Sequence, residues 1–267
     1  MDNDMGAASI THRRPSERIM ENIAYRTAEL ERHFSRNRIR WSQFYESERQ
    51  VIEHVNPDAT ANTLDIGCGC GGLGLALRER FGVEKYTGVE INNGAAESAR
   101  RLNPEAKILH GDFLRMTTDV LPEESYDLAF SLGCIDWNLT FDNMLRKLWS
   151  MVKPGGALIS SFRITLGPGV NDITRSYQYI NFDGHMEGEI APYVVVNAAD
   201  LMAKITALGT RKMFGYGFYG PPGKTAVTPY AQLCFAALAI YKVADMAISE
   251  IDLRLPPDIS RLVHTTR

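Results

Sequence analysis

The ten residues Thr63-Leu64-Asp65-Ile66-Gly67-Cys68-Gly69-Cys70-Gly71-Gly72 join a short β-prone run to a glycine-rich loop. The residues that follow predict a helix, because Leu73, Leu77 and Phe81 recur at four-residue spacing before Gly82 ends the pattern. Glycines in such a loop let a ligand approach the backbone, and the first turn of the helix offers unpaired N–H groups. The segment therefore predicts a binding site for a polar or anionic ligand.

The same alternation of strand and helix continues beyond the glycine loop. It predicts strands at residues 86–91, 107–110, 126–132 and 157–162, and helices at 95–102 and 141–152. The Lys153-Pro154-Gly155-Gly156 segment predicts a turn before the last of these strands. Helices between consecutive strands require right-handed crossovers, which produce a mostly parallel sheet. We therefore expect a doubly wound α/β fold.

The sequence pattern divides the chain into four parts. Residues 1–15 are polar and irregular and are expected to be disordered, whereas residues 16–57 carry helical apolar stripes and predict an N-terminal helical cover. Residues 58–246 are assigned to the main domain, which includes a loop-rich insertion at 163–197 and ends in a predicted helix and two strands (198–208, 212–218 and 233–243). Residues 247–267 show no clear period and are expected to form a C-terminal tail.

Composition narrows the class of protein. The chain has 267 residues, 45% of them hydrophobic and 23% charged, and a net charge of −3, which argues against a nucleic-acid partner. No run of 18 apolar residues and no basic start are present, so we expect a cytoplasmic protein without membrane association. The four cysteines lack zinc-ligand spacing, and no metal site is expected.

The arginines near the N-terminus form a separate local feature. Residues 11–40 contain eight arginines against four glutamates. Such a segment can present a face to an anionic substrate, although interleaved charges on helices more often form a solvated surface.

The ligand of the glycine loop depends on the acidic residues around it. Gly67, Gly69 and Gly72 satisfy G-x-G-x-x-G, which on its own fits a nicotinamide or flavin cofactor. Asp65, however, ends the first strand, where it would repel a pyrophosphate and attract an ammonium group. Glu90 ends the second strand, 90 − 72 = 18 residues after Gly72, where a carboxylate can accept both ribose hydroxyls. After the third strand, Asp112 can accept a hydrogen bond from an adenine amino group.

With these motifs the segment 63–162 resembles the class I S-adenosylmethionine-dependent methyltransferases. The resemblance implies a seven-stranded, mostly parallel Rossmann-like sheet and S-adenosyl-L-methionine as the cofactor. It implies that residues 163–197 and the N-terminal helices cover the methyl acceptor. The cofactor contacts that it implies are Asp65, Gly67, Cys68, Gly69, Gly71, Glu90, Ile91, Asp112, Phe113 and Ser131. Residues 131–134 would line the site of methyl transfer.

Two residues are candidates for the catalytic base. In-line methyl transfer needs alignment, and a hydroxyl acceptor must also lose its proton. Asp136 follows the fourth strand, near the expected position of the reactive methyl group, although capping of the next helix is an alternative role for it. His185, in the insertion, is the second candidate. Arg163, Arg175 and the tyrosines of the variable regions favour a hydroxyl-rich small molecule, such as a sugar or a natural-product intermediate.

Other functions stay open at this stage. Methylation of RNA or protein is one alternative, although Ser131-Leu132-Gly133-Cys134 stands where adenine-N6 methyltransferases carry an Asn/Asp-Pro-Pro-aromatic motif. A catalytically silent scaffold that keeps the cofactor loop is another. The sequence also leaves formation of a homo-oligomer open.

Overall fold

The computed structural model describes residues 28–181, 183–243 and 249–265. The predicted disordered segment 1–15 and the first part of the predicted helical cover, residues 16–27, lie outside the described residues. The helices are α1 (Glu29–Phe34), α2 (Glu46–Val55), α3 (Gly72–Phe81), α4 (Asn93–Leu102), α5 (Phe141–Met151), α6 (Ala198–Thr206) and α7 (Pro257–Thr265). The strands are β1 (Asn62–Ile66), β2 (Lys85–Glu90), β3 (Lys107–His110), β4 (Tyr126–Ser131), β5 (Val152–Thr165), β6 (Tyr177–Tyr179), β7 (Ile190–Pro192), β8 (Val196–Asn197), β9 (Lys212–Gly220), β10 (Ala226–Val227), β11 (Leu233–Tyr241) and β12 (Glu250–Arg254).

A large twisted sheet forms the centre of the molecule, and the predicted doubly wound α/β fold is confirmed. Its order is β12-β9-β11-β5-β4-β1-β2-β3, with β8 attached beside β5. Strands β1 to β5 are parallel to one another, and β11 runs antiparallel to both of its neighbours. The chain leaves β1 toward β2 and β3, and then returns to β4 on the other side of β1. In sheets of this kind ligands bind at that reversal, beyond the carboxyl ends of the strands.

The predicted count of seven strands is approximate. Seven strands in the order β3-β2-β1-β4-β5-β11-β9 form the main body, and the described residues add two more. The two-residue β8 pairs with the end of β5, and β12 pairs with β9 in parallel. Strand β12 lies in the segment expected to form a tail. Its partner β9 is the last strand of the seven, so its outer edge has unpaired backbone groups that β12 satisfies.

Strand β5 differs from its prediction in length. It begins at Val152, so the Lys153-Pro154-Gly155-Gly156 segment belongs to the strand instead of preceding it. The register against β4 shifts between Val152 and Ala157, and the residues between them bulge out of the ladder. Gly155, with φ 85°, sits in this bulge. Strand β5 also extends to Thr165, into the first residues of the predicted insertion.

Helices cover both faces of the sheet. One apolar core joins the sheet to α5, α6 and α7, and includes Leu148, Leu201 and Ile259. The other face packs against α2 and α3 through Val51, Ile52 and Leu77, while α4 packs over β2 and β3. Leu77 and Leu148 carry the apolar periodicity that predicted α3 and α5, because only one side of each helix faces the sheet. Helix α7, in contrast, lies in the segment that was expected to form a tail. No helix among the described residues is both long enough and apolar enough to span a membrane.

A second, small sheet stands beside the carboxyl end of β5. It is antiparallel, in the order β10-β6-β7, and combines two strands of the predicted insertion with one from the loop between β9 and β11. The hydroxyl of Thr225 donates to the Tyr179 carbonyl at 2.9 Å and thereby ties that loop to β6. We call this sheet and the loops around it, residues 166–195 and 221–232, the cap.

Candidate functional site

The glycine loop is shaped by left-handed backbone and by contacts with the next strand. Gly67, Gly69 and Gly71 have φ of 72°, 55° and 82°, values that side chains rarely tolerate. The N–H groups of Gly67 and Cys68 donate to the Val89 carbonyl at 2.9 and 3.1 Å, which fixes the loop on β2. A Cβ at Gly69 would meet no atom of the described residues within 4 Å, whereas at Gly67 and Gly71 it would collide with protein atoms. The loop therefore faces open space at Gly69, where a ligand can approach its backbone.

Glu90 connects the end of β2 with this loop. Its Oε2 accepts from the N–H of Gly69 at 2.8 Å, and its Oε1 accepts from the N–H of Asn92 at 2.8 Å. Glu90 is only 6% exposed, and burial raises the pKa of its carboxyl despite the backbone donors that stabilise the charge. A carboxylate oxygen can accept more than one hydrogen bond, so both oxygens keep capacity for a ligand hydroxyl.

Asp65 lies below the loop and is 3% exposed. Its Oδ2 accepts from the hydroxyl of Tyr86 at 2.6 Å. Burial raises the pKa of Asp65 to about 7, and the nearby Glu90 and Glu48 carboxylates add to this shift. The Tyr86 hydrogen bond and the charge of Arg38 oppose it. An incoming cation would hold Asp65 in its charged form.

The residues after β2 and β3 form the other end of the site. Asp112 accepts from the N–H of Leu114 through Oδ1 at 3.0 Å, and so caps a short 3-10 turn. The Phe113 ring packs into the apolar core, with the Lys147 ammonium 5.0 Å from its centroid. Phe113 therefore supports the site from inside the core and does not present its ring to a ligand. Ile91 follows Glu90, and its half-buried aliphatic side chain offers an apolar surface.

The segment after β4 borders the glycine loop on the side opposite to β2. Ser131 is buried, and its Oγ accepts from the N–H of Ile135 at 3.2 Å. Cys134 lies against Gly67, where a Cβ would come within 2.6 Å of the Cys134 Sγ. Burial raises the pKa of the Cys134 thiol, with further increases from the Glu90 and Asp136 carboxylates. Cys134 is therefore a neutral thiol that packs against the loop, and it places the next residues close to the site.

Asp136 is held by Arg163, the first residue of the predicted insertion. The Arg163 Nε lies 3.4 Å from Asp136 Oδ2, and its Nη1 donates to the Asp136 carbonyl at 2.8 Å. The guanidinium stacks between the rings of Trp137 and Tyr193, at 4.2 and 3.7 Å from their centroids. Asp136 is 5% exposed, yet its Oδ1 has no hydrogen-bond partner in the described part of the chain. Burial raises the pKa of this carboxyl, although the charge of Arg163 opposes the shift.

His185 is not brought to Asp136 by any contact in the structure. It is exposed in the loop between β6 and β7, where its backbone N–H donates to Asn181 Oδ1 at 3.1 Å. Its carbonyl accepts from the same Asn181 side chain at 2.7 Å. The role of His185 as a base stays a prediction without structural support.

Two charged residues of the N-terminal cover reach the site and were not predicted as site residues. Arg38 donates to Glu48 Oε1 at 3.0 Å, and Glu48 Oε2 accepts from the N–H of Tyr45 at 3.0 Å. Glu48 is buried, and its charge contributes to raising the pKa of both Asp65 and Asp136. The arginine-rich composition of residues 11–40 was the only signal for Arg38, and it did not distinguish this arginine from the other seven.

Comparison with known proteins agrees with this geometry. Residues 63–156 match a family described as "Methyltransferase domain". A malonyl-acyl-carrier-protein O-methyltransferase of Brevibacillus brevis is 34% identical over 124 residues, and a trans-aconitate 2-methyltransferase of Paracidovorax citrulli is 26% identical over 119. These matches cover 45% and 43% of this chain, and 43% and 45% of the relatives. The chain thus matches less than half the length of these curated relatives.

Solved structures share the fold at low sequence identity. An S-adenosylmethionine-dependent methyltransferase of Methanosarcina mazei superposes with a TM-score of 0.54 at 16% identity, over 75% of this chain and 99% of that one. The cyclase SpnF superposes with a TM-score of 0.51 at 14% identity, over 74% and 81% of the two chains. Residues 63–156 are a domain of the class I S-adenosylmethionine-dependent methyltransferase family, whose cofactor is S-adenosylmethionine.

Proposed function

We propose that this chain binds S-adenosylmethionine in the groove beside Gly69 and transfers its methyl group to a hydroxyl of a small molecule. Bound there, the cofactor supplies an electrophilic methyl group on a sulfonium. The chain's residues contribute binding, alignment and removal of a proton. The observation that carries the proposal is the Glu90 carboxylate, buried beside open space at Gly69 and already held by two backbone donors.

The cofactor half of the groove fits the chemistry of the ligand. Glu90 has acceptor capacity for the two ribose hydroxyls. Asp65, whose pKa is about 7, is stabilised as an anion by a nearby ammonium group such as that of the methionine moiety. Ile91 offers an apolar surface for the adenine, and Asp112 lies at the end of β3, where the adenine amino group can reach it.

Asp136 is the proposed base on the acceptor side. A hydroxyl must lose its proton as the new bond forms, and burial raises the pKa of Asp136, which makes its carboxylate a stronger base. Arg163 occupies Oδ2 and the Asp136 carbonyl, which fixes the side chain and leaves Oδ1 to accept the proton. Cys134 packs against Gly67 of the glycine loop, and Asp136 follows it by two residues, which supports a position for the base beside the methyl end of the groove.

The charges on the acceptor side of the groove favour a neutral hydroxyl over a carboxylate as the acceptor. Glu48 and Asp136 are both buried, and the charge of Glu48 contributes to raising the pKa of Asp136. The Arg163 guanidinium is already shared between Asp136 and two aromatic rings. An additional carboxylate there would be repelled. The acceptor therefore differs from those named for the two relatives, malonyl-acyl-carrier protein and trans-aconitate.

Methyl transfer from labelled S-adenosylmethionine to four acceptor classes tests the proposal. The panel contains nucleotide-sugars, phenols, amines and trans-aconitate, and we expect label in hydroxyl compounds alone. Asp136→Asn should lower kcat by about 10²- to 10⁴-fold. Asp142→Asn, at an exposed aspartate on α5 paired with Lys204, should not change kcat.

Each other outcome contradicts a definite part of the proposal. Transfer confined to amines or to trans-aconitate would exclude the hydroxyl acceptor. No label in the panel, with label instead in RNA or protein offered in a parallel assay, would exclude the small molecule. Tight binding of the cofactor without transfer to any acceptor would favour a scaffold over an enzyme.

A further inference from the structure

Arg38 stands in an unusual backbone conformation directly above the end of the glycine loop. Its φ is 68°, in the left-handed region that residues with side chains seldom adopt. A Cβ at Gly72 would come within 1.8 Å of the Arg38 carbonyl oxygen and 3.1 Å of the Ile39 Cα. The third glycine of the G-x-G-x-x-G pattern therefore makes room for the chain at Arg38. The local strain is maintained because the surrounding contacts fix this segment.

The segment before Arg38 is attached to both sides of the groove. The Cys70 thiol donates to the Glu31 carbonyl at 3.5 Å, and the Ser98 hydroxyl donates to Glu31 Oε1 at 2.5 Å. Arg101 lies 3.3 Å from the same oxygen. Helix α1 thus connects the glycine loop with α4, so that residues 28–45 lie across the cofactor end of the groove.

The guanidinium of Arg38 has donors left for a ligand. It donates to Glu48 Oε1 and stacks on the rings of Phe44 and Tyr45, at 4.7 and 5.5 Å from their centroids. Glu48 is its one hydrogen-bond partner among the described residues, and a guanidinium carries five N–H donors. The Arg38 side chain is 23% exposed, so it is only partly enclosed by the protein.

The charges around the groove suggest what these donors bind. Asp65, Glu90 and Glu48 place three buried carboxylates around the glycine loop, and the charge of Arg38 acts on both Glu48 and Asp65. The amino-acid end of the proposed cofactor carries an ammonium and a carboxylate. Asp65 suits the ammonium, but the carboxylate requires a cation to offset repulsion by three acids.

We propose that Arg38 binds the carboxylate of the methionine moiety, presented to it by the N-terminal cover that packs on Gly72. This inference rests on the proposed function and names the residue that recognises the anionic end of the cofactor. An arginine fork matches a carboxylate in geometry and donates charge-assisted hydrogen bonds to it.

Calorimetric titration of two ligands isolates this contact. S-adenosylhomocysteine carries the carboxylate, and S-adenosyl-3-thiopropylamine differs from it only by lacking that group. The wild type should prefer S-adenosylhomocysteine by on the order of tenfold to a hundredfold. Arg38→Met keeps an apolar stem against Phe44 and should bind both ligands equally, at the wild-type affinity for the amine. Arg36→Met, at an exposed arginine two residues away, should retain the full preference.

The double variant Arg38→Met/Glu48→Gln is the second test, because it leaves no buried acid without its partner. It should also lose the preference. Retention of the preference in either Arg38 variant, with both ligands weakened equally, would make Arg38 structural and overturn the inference. Equal binding of both ligands by the wild type would overturn it while leaving the proposed function intact. Failure of the wild type to bind either ligand would overturn the proposed function itself.

Discussion

Asp65 controls the proton balance of the proposed cofactor site. Its carboxyl has a pKa of about 7 against an ordinary 3.8, so the folded chain without ligand binds a proton there that the unfolded chain releases. This contribution makes the free protein less stable as the pH rises from about 4 to about 7. A bound ammonium reverses the balance, because it favours the ionised carboxyl.

Cofactor affinity should therefore weaken as the pH falls through 7. The groups that act on Asp65 are Tyr86, Arg38, Glu90 and Glu48, and the net effect of their charges and of burial is the raised pKa. We expect the Kd for S-adenosylhomocysteine to rise on the order of tenfold between pH 7.5 and pH 5.5. Asp65→Asn keeps an acceptor for the Tyr86 hydroxyl and should remove most of this dependence in calorimetric titrations. An unchanged pH profile in the variant would show that Asp65 does not meet the ligand's charge.

Glu90 should contribute directly to binding. Glu90→Ala removes the acceptor proposed for the ribose and leaves the N–H groups of Gly69 and Asn92 without their partner. The expected loss for S-adenosylhomocysteine is about 1–3 kcal/mol, as for hydrogen bonds to charged groups. Glu105→Ala, at an exposed glutamate before β3, is the control and should bind as the wild type does. Equal affinities in the two variants would place the ligand elsewhere.

At the scale of elements, Gly72 determines how the N-terminal cover meets α3. An alanine at a helical glycine ordinarily stabilises a protein by up to about 1 kcal/mol. At Gly72, however, the new Cβ would collide with the backbone of Arg38 and Ile39, which cannot move away as a side chain can. Gly72→Ala should therefore destabilise the protein by about 1–3 kcal/mol and speed hydrogen exchange in residues 36–45.

Gly94→Ala is the matched control for this prediction. Gly94 lies in the first turn of α4, and the three atoms nearest its Cβ would all belong to side chains: Glu31 Oε2 at 2.6 Å, Glu31 Cδ at 3.4 Å and Asn92 Oδ1 at 3.5 Å. We expect a smaller change in the free energy of unfolding than at Gly72, measured by urea denaturation of both variants. Equal changes would mean that the cover yields easily at Arg38.

The elements predicted from the sequence are those whose signal is local. Strand β3 lies at its predicted residues 107–110, and α6 begins after Asn197, whose side chain accepts from the N–H groups of Ala199 and Asp200 as a cap. The packing of Arg38 on Gly72 joins residues far apart in sequence and leaves no periodic trace. The same holds for the pairing of β10 with β6 and of β12 with β9. Contacts between distant segments are selected by the folded surface that each segment meets.

In the candidate site, too, features with a local sequence signal were predicted, and contacts between distant segments were not. Glu90 and the glycine loop were predicted as parts of one site, because strand ends in a parallel sheet meet at one edge. The hydrogen bond from the Gly69 N–H to Glu90 Oε2 joins them but was not predicted. Asp136 was predicted by position, but its partner Arg163 was assigned only to the acceptor side. Phe113 was expected among the cofactor contacts, and its ring instead packs into the apolar core. A motif specifies the residue type, whereas the direction of its side chain depends on packing.

At the scale of the whole molecule, the groove lies between two covers over one edge of the sheet. The N-terminal segment 28–45 crosses its proposed cofactor end. The cap stands beside the proposed acceptor end and is joined to Asp136 through Arg163 and Tyr193. Both covers bring an arginine to a buried acid, Arg38 to Glu48 and Arg163 to Asp136. Enclosing the reacting groups in this way excludes water and strengthens the electrostatic interactions within the groove.

A crystal structure of the chain with S-adenosylhomocysteine tests the central claim most directly. The account predicts the ribose hydroxyls within hydrogen-bond distance of Glu90, the backbone of Gly69 against the ligand, and the carboxylate of the ligand on Arg38. A ligand bound away from the glycine loop, or ribose hydroxyls without contact to Glu90, would contradict it.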